Sequence, residues 1–234
     1  MNSVIQDISA ADLAWVFVPA AIVIVILFRW ALDARTAVYA VARMLIQLLL
    51  IGYVLTYIFR AEQSGIIVAV LVVMLLAASW IALRPLQSRN RGIYLKALTS
   101  IFIGGVPVLL LVTQLVLAID PWFLPRFMVP LAGMIFASSM NTLSLAAERY
   151  QSELDRGQGY KHSRNTAFKT SLIPVINTLF AVGLVSLPGM MTGQILSGVS
   201  PLIAVKYQVV VMCMIFGASG ISAAVYLVLA KPGR

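Results

Sequence analysis

Apolar runs of roughly 20 residues, the length a helix needs to cross a bilayer, recur along the whole chain between short polar connections. They predict seven membrane-spanning helices, at 13–32, 37–59, 65–83, 97–119, 127–147, 170–188 and 205–229. The longest polar stretch, 148–171, is too short to fold alone. Residues 1–234 therefore read as one all-α polytopic transmembrane domain. One run departs from the others. Between Gly183 and Gly198 an apolar segment is interrupted by Pro188-Gly189 and followed by Gly193. Helix breakers at membrane depth are tolerated where the released backbone is buried in protein or lines a cavity. A broken or re-entrant helix is expected over 186–200, in a protein that moves a solute.

Composition supports membrane residence. Hydrophobic residues fill 61% of 234 positions and charged ones 11%, against about 25% charged in a soluble domain. The net charge of +9 is not a nucleic-acid signature, because its distribution is one-sided. Arg29, Arg35, the 84–96 group, the 148–171 group and the tail with Lys231 and Arg234 put thirteen basic residues on one side. Arg60, Arg126 and Lys206 put three on the other. The positive-inside rule then places the C-terminus and 148–171 in the cytoplasm and the N-terminus outside. Anionic membrane lipids are the expected counter-charge. The N-terminal residues carry Asp7 and Asp12 and no basic residue, so the first span is expected to remain as an anchor.

The chemistry available inside the spans is sparse. All eight acids lie at span ends or in connections, which disfavours a proton relay or a carboxylate-lined path. The single Cys213 rules out an intrachain disulfide and is expected to be a small buried hydrophobe. Arg43 lies roughly 9 Å inside the cytoplasmic end of its span at 1.5 Å per residue, with Gln47 on the same face. It either snorkels to the interface or faces the pathway and braces broken backbone. Ser138, Asn141 and Thr142 form one polar stripe, and Asn177 and Thr178 follow Pro174. Both sets fit interhelical hydrogen bonding or a hydrophilic path. Met190 and Met191, with Met212 and Met214, supply thioethers for packing or for a soft metal. The Gly217-Ala-Ser-Gly220 run resembles an intramembrane serine protease motif, but the only histidine, His162, lies in the polar connection. Close helix packing accounts for it better.

Residues Glu148–Arg156 are charged and helix-compatible, and Gly157 and Gly159 break them. A short cytoplasmic helix there would be a solvated connection or a docking element. No G-x-x-x-x-G-K-[ST] phosphate loop occurs, so ATP-driven transport would need its ATPase on another chain.

Several stretches together resemble the FetB-type family of ABC permeases, which includes a bacterial iron-export permease and plant aluminium-tolerance relatives. They are Val182–Gly198 with Ser200-Pro201 and Lys206-Tyr207-Gln208, the span-two run Arg43 to Leu55, Pro130 to Met134, and Leu172 to Asn177. The resemblance implies a homodimeric permease in the bacterial inner membrane, paired with two ATP-binding subunits and exporting a metal ion or chelate, with no bound cofactor. It implies a pathway or gate at Ser186, Pro188, Gly189, Met190, Met191, Thr192 and Gly193. Arg43, Gln47, Asn141, Asn177 and Gln208 would contribute to that pathway. ATPase docking falls on Glu153, Leu154, Asp155, Arg156 and Gly157, where this chain has Glu-Leu-Asp-Arg-Gly in place of the relatives' Leu-Gly-Ala-type turn. The rival expectation is an intramembrane enzyme acting on lipid phosphates, with Arg43, Gln47 and the Gly-rich turn cradling the phosphate. It lacks a nucleophile–base pair.

Overall fold

The computed structural model describes residues 9–58, 63–86 and 90–231. Asp7, Arg60, Arg89 and Arg234, used above for topology, lie outside them, as does the acid Glu62. The described chain is helical, and it divides into two compact units, residues 1–60 and 61–234.

The first unit contains α1 (Ala10–Trp15), α2 (Phe17–Arg29) and α3 (Ala34–Ile58). Ser9 caps α1 by accepting from the Asp12 N–H at 3.2 Å, and Asp33 accepts from the Thr36 N–H at 3.0 Å at the start of α3. Among its described residues α2 buries none and α3 only Ile58, so within this unit both helices leave most of their apolar side chains exposed, as lipid-facing helices do.

The second unit contains α4 (Ser64–Ala82), α5 (Arg91–Leu110) with a π-helical continuation (Leu111–Val116), α6 (Pro125–Asp155), α7 (Tyr160–Ala181), α8 (Gly189–Leu196) and α9 (Pro201–Leu229). Its centre is α9, which packs on α5 and α6 most extensively and on α7 and α8 as well. Ile67, Ile101, Met128, Ile135, Leu143 and Leu227 fill the core. A close crossing joins α5 to α9. A Cβ added at Gly104 would lie 2.6 Å from the Ser222 backbone nitrogen and 2.9 Å from the Ala218 carbonyl oxygen. Only glycine permits that approach.

Among the described residues, six helical stretches are long and apolar enough to span: Asp12–Arg29, Ala34–Ile58, Ser64–Ala82, Arg91–Val116, Pro125–Asp155 and Pro201–Leu229. The predicted span 170–188 differs. Helix α7 starts at Tyr160 and ends at Ala181, and its apolar part from Ser171 gives only roughly 16 Å of helix at 1.5 Å per residue. The 148–171 connection is also corrected. Helix α6 continues through Glu148–Asp155, and α7 resumes at Tyr160, so only Arg156–Gly159 is a turn. The charged residues there form the last turns of a long helix, because Glu, Arg, Gln and Leu continue a helix as readily as they end a loop. Cys213 is corrected too: it is exposed, on an outward face of α9.

Candidate functional site

Helical spacing sets three faces of the second unit against one another. Helix α6 presents Ser138, Asn141, Thr142 and Leu145 at i, i+3, i+4 and i+7. Helix α7 contributes Pro174, Val175, Thr178 and Leu179, and α9 contributes Met212 and Ile215. They line a cavity of about 280 Å³ that is open on one side. At ~30 Å³ per water, it has room for a small ion with several waters. Its polar lining is neutral: two threonines, a serine, one carboxamide and a thioether. The Thr178 hydroxyl donates to the Pro174 carbonyl at 2.9 Å, so its lone pairs are what it offers to the cavity. At the wall, the Ser138 and Ser219 hydroxyls share a hydrogen bond of 2.7 Å. Ser219 therefore spends its polarity on joining α9 to α6. The chain's single histidine, His162, faces Glu153 instead, at 3.6 Å. The protease-like motif is a packing feature.

The broken helix follows directly. Helix α7 stops at Ala181, whose carbonyl accepts from the Val185 and Ser186 N–H groups at 2.8 and 3.2 Å. Gly183, at φ +81°, turns the chain so that its N–H reaches the Ser186 carbonyl at 3.0 Å. Pro188 then precedes α8, and its carbonyl accepts from Thr192 N–H at 3.0 Å and Thr192 Oγ1 at 3.2 Å. Gly198, at φ +89°, turns the chain again into α9. The outer edge of the first turn is apolar, with Leu184 90% and Val185 84% exposed. The sequence marks Pro188-Gly189 as the break, whereas the demanding backbone lies at Gly183. Space around a Cβ at Gly189 is open, and its φ is ordinary for a helix start. Valine at Gly183 is therefore expected to cost about 1–2 kcal/mol and impair transport, while alanine at Gly189 leaves both near wild type. Transport assays on membrane-inserted variants would check this.

The predicted docking residues separate into two kinds. Glu153 is buried, and its carboxylate meets Arg149 at 2.6 Å, His162 at 3.6 Å and Arg156 at 3.7 Å. These partners come from α6, the turn and α7, so one carboxylate joins both sides of the turn. Leu154 is half-buried, whereas Asp155, Arg156 and Gly157 are exposed at the tip. Gly157 takes φ +76° there. Two tyrosines connect this hairpin to α9. The Tyr150 hydroxyl donates to the Ala230 carbonyl at 3.3 Å and the Tyr160 hydroxyl to the Leu227 carbonyl at 3.2 Å. Nothing in the local pattern announced that link, since its carbonyls belong to a helix roughly 70 residues away.

The predicted pathway residues do not all meet. Asn141 lines the cavity, joined by Thr178 and Met212. Asn177 is exposed on another face of α7, and Ser186, Met190, Met191, Thr192 and Gly193 belong to the turn and α8. Gln208 is 5% exposed within α9, with neither amide atom hydrogen-bonded to the described residues. Arg43, half-buried, and Gln47, exposed, belong to the first unit. Among the described residues, no three His, Cys, Asp or Glu side chains converge into a metal cage.

Comparison with known proteins bears on this architecture. The model of the Uncharacterised protein family UPF0014 matches residues 10–232. The chain belongs to the UPF0014 family. Among its relatives, the Probable iron export permease protein FetB of Escherichia coli is 32% identical, over 95% of this chain and 90% of its own. A UPF0014 membrane protein of Synechocystis is 31% identical over 92% of this chain and 89% of its own. Protein ALUMINUM SENSITIVE 3 of Arabidopsis thaliana is 33% identical over 79% and 72%. No solved structure matches. This UPF0014 protein is thus a multi-pass helical membrane protein related along nearly its whole length to a permease.

Proposed function

We propose that this protein is the permease subunit of an ABC-type metal exporter of the bacterial inner membrane, carrying iron and driven by a separate ATP-binding subunit. The observation that carries the reading is the charge-free cavity between α6, α7 and α9, mostly apolar with a few neutral oxygens and a thioether, lined by α7 just before its break after Ala181. Full-length likeness to an iron export permease supports the cargo and the direction. Neutral oxygens and a thioether suit a metal held by uncharged donors better than an anionic chelate, since no cationic side chain lines the cavity.

The cavity's open side supports a homodimer. Asn141 and Thr178 are exposed beside it, and an amide facing lipid is costly. A second copy closing that side would remove the cost and complete the path. The exposed tip Asp155–Gly159 is where the ATP-binding subunit docks. Its push reaches α9 through Glu153, Tyr150 and Tyr160. In this arrangement the whole chain acts as one permease domain, with 148–171 on the cytoplasmic side.

Cells lacking the gene should retain extra iron under iron excess, and the wild-type gene should restore export. Asn141→Leu should insert normally yet restore less than about a tenth of that export, since it replaces an amide by an isosteric apolar group. Normal iron content in the deletion strain would overturn the export assignment. Full rescue by Asn141→Leu would overturn the cavity as its route.

A further inference from the structure

A second cavity lies between α7 and α9 nearer the start of α7, and its chemistry is different. Arg164, Asn165 and Phe168 of α7 and Ala224, Leu227 and Val228 of α9 line a groove of about 280 Å³. Its lining is apolar apart from Arg164 and Asn165. The apolar run of α9 ends at Leu229 with Lys231 following, and α7 turns apolar only from Ser171. The groove therefore straddles the boundary between hydrocarbon and headgroups.

Two cations are held next to the groove, Arg164 in its lining and Lys231 beside the Tyr160 ring. The Tyr160 hydroxyl, donating to the Leu227 carbonyl at 3.2 Å, fixes its ring between α7 and α9. The Arg164 Cζ lies 5.7 Å from that ring's centre and the Lys231 Nζ 5.6 Å from it. Arg164 donates from Nε and Nη2 to Asn165 Oδ1 at 3.1 and 2.9 Å. A neutral amide thus orients the guanidinium without neutralising it, and leaves its remaining N–H groups to bond elsewhere. Neither cation has a carboxylate within ion-pair distance among the described residues. Lys161 and Lys169 add charge along α7, which has no acid from Tyr160 to Ala181.

Two like charges held at one aromatic ring attract an anion, and the apolar lining beside them suits a hydrocarbon chain. We propose that the α7–α9 groove is a binding site for one anionic glycerophospholipid, its phosphate between Arg164 and Lys231 and an acyl chain along Phe168, Leu227 and Val228. A zwitterionic lipid offers the same phosphate, but its own ammonium meets the two cations unfavourably. Inorganic phosphate has no part to fill the groove. The site does not depend on the export reading.

The full chain, purified in detergent, would be offered equal amounts of phosphatidylglycerol and phosphatidylcholine, and retained lipid measured by native mass spectrometry. Wild type should retain phosphatidylglycerol preferentially, one molecule per chain. The Arg164→Gln, Lys231→Gln pair should lose about tenfold in retention, while Arg164→Lys keeps most of it and shows that the fold survives. The Arg29→Gln, Arg35→Gln pair, with the same change in net charge, should keep it fully. Equal retention of both lipids, equal loss in the control pair, or displacement of the lipid by inorganic phosphate would each overturn the proposal.

Discussion

Valine at Gly104 is expected to prevent the second unit from assembling, and alanine to cost about 1–3 kcal/mol or more as an overpacked core does. The new Cβ would sit 2.6 Å from the Ser222 backbone nitrogen and 2.9 Å from the Ala218 carbonyl oxygen, with Ser222 Oγ also in the way. Backbone is on the receiving side, so no rotamer change relieves the clash. The two helices must separate. That separation would also pull on the Ser138–Ser219 bond, because Ser219 neighbours Ala218 on α9. Reversible unfolding in mixed micelles measures the effect. Alanine at Gly217 is the matched control, since nothing lies within 4 Å of its added Cβ. Equal stability of Gly104→Ala and Gly217→Ala would refute the close crossing.

Leucine at Glu153 should be the second large effect, and it acts at the tip and not at the cavity. The carboxylate holds Arg149 at 2.6 Å, with His162 and Arg156 at 3.6 and 3.7 Å. Removing it leaves the Arg149 and Arg156 guanidinium groups without their carboxylate, around a buried apolar side chain. Breaking a fully buried pair costs about 3–5 kcal/mol. Arg149 keeps 34% of its side-chain surface, so about 2 kcal/mol is expected here. The consequence is local: α6 and α7 lose their tie across the turn, and the exposed tip loses its position. Co-purification with the ATP-binding subunit should fall severalfold while iron-independent membrane insertion is retained. Glu153→Asp, which keeps the charge with a shorter reach, should fall between. Unchanged co-purification in Glu153→Leu would separate the tip from docking.

These two sites differ in how visible they are along the chain. Gly104-Gly105 is an ordinary pair in an apolar run, and only the approach of α9 makes one of them indispensable. Glu153 looked like an exposed docking acid because its neighbours are charged. Helical phase turns it inward, between Arg149 one turn back and His162 beyond the break. The stripe Ser138, Asn141, Thr142 was legible from its spacing, but Met212 and Thr178 became its partners only through packing. The same holds for Asn177, one residue from Thr178, which the 100° helical step directs to an exposed face.

The sequence by itself determined what depends on local chain properties. Long apolar runs require a membrane, the bilayer then requires helices, and Pro188-Gly189 with Gly193 and Gly198 marks a break before the last span. The lack of acids within the spans likewise follows from reading residues in order. Tertiary structure decided which neutral groups share a cavity, that α6 runs to Asp155, and that two tyrosines fasten the α6–α7 hairpin to the end of α9. In an almost uniformly apolar helix the hydrophobic pattern carries little phase information, so it cannot say which face meets which neighbour. Close packing at Gly104 and hydrogen bonds between residues far apart in the chain set that phase.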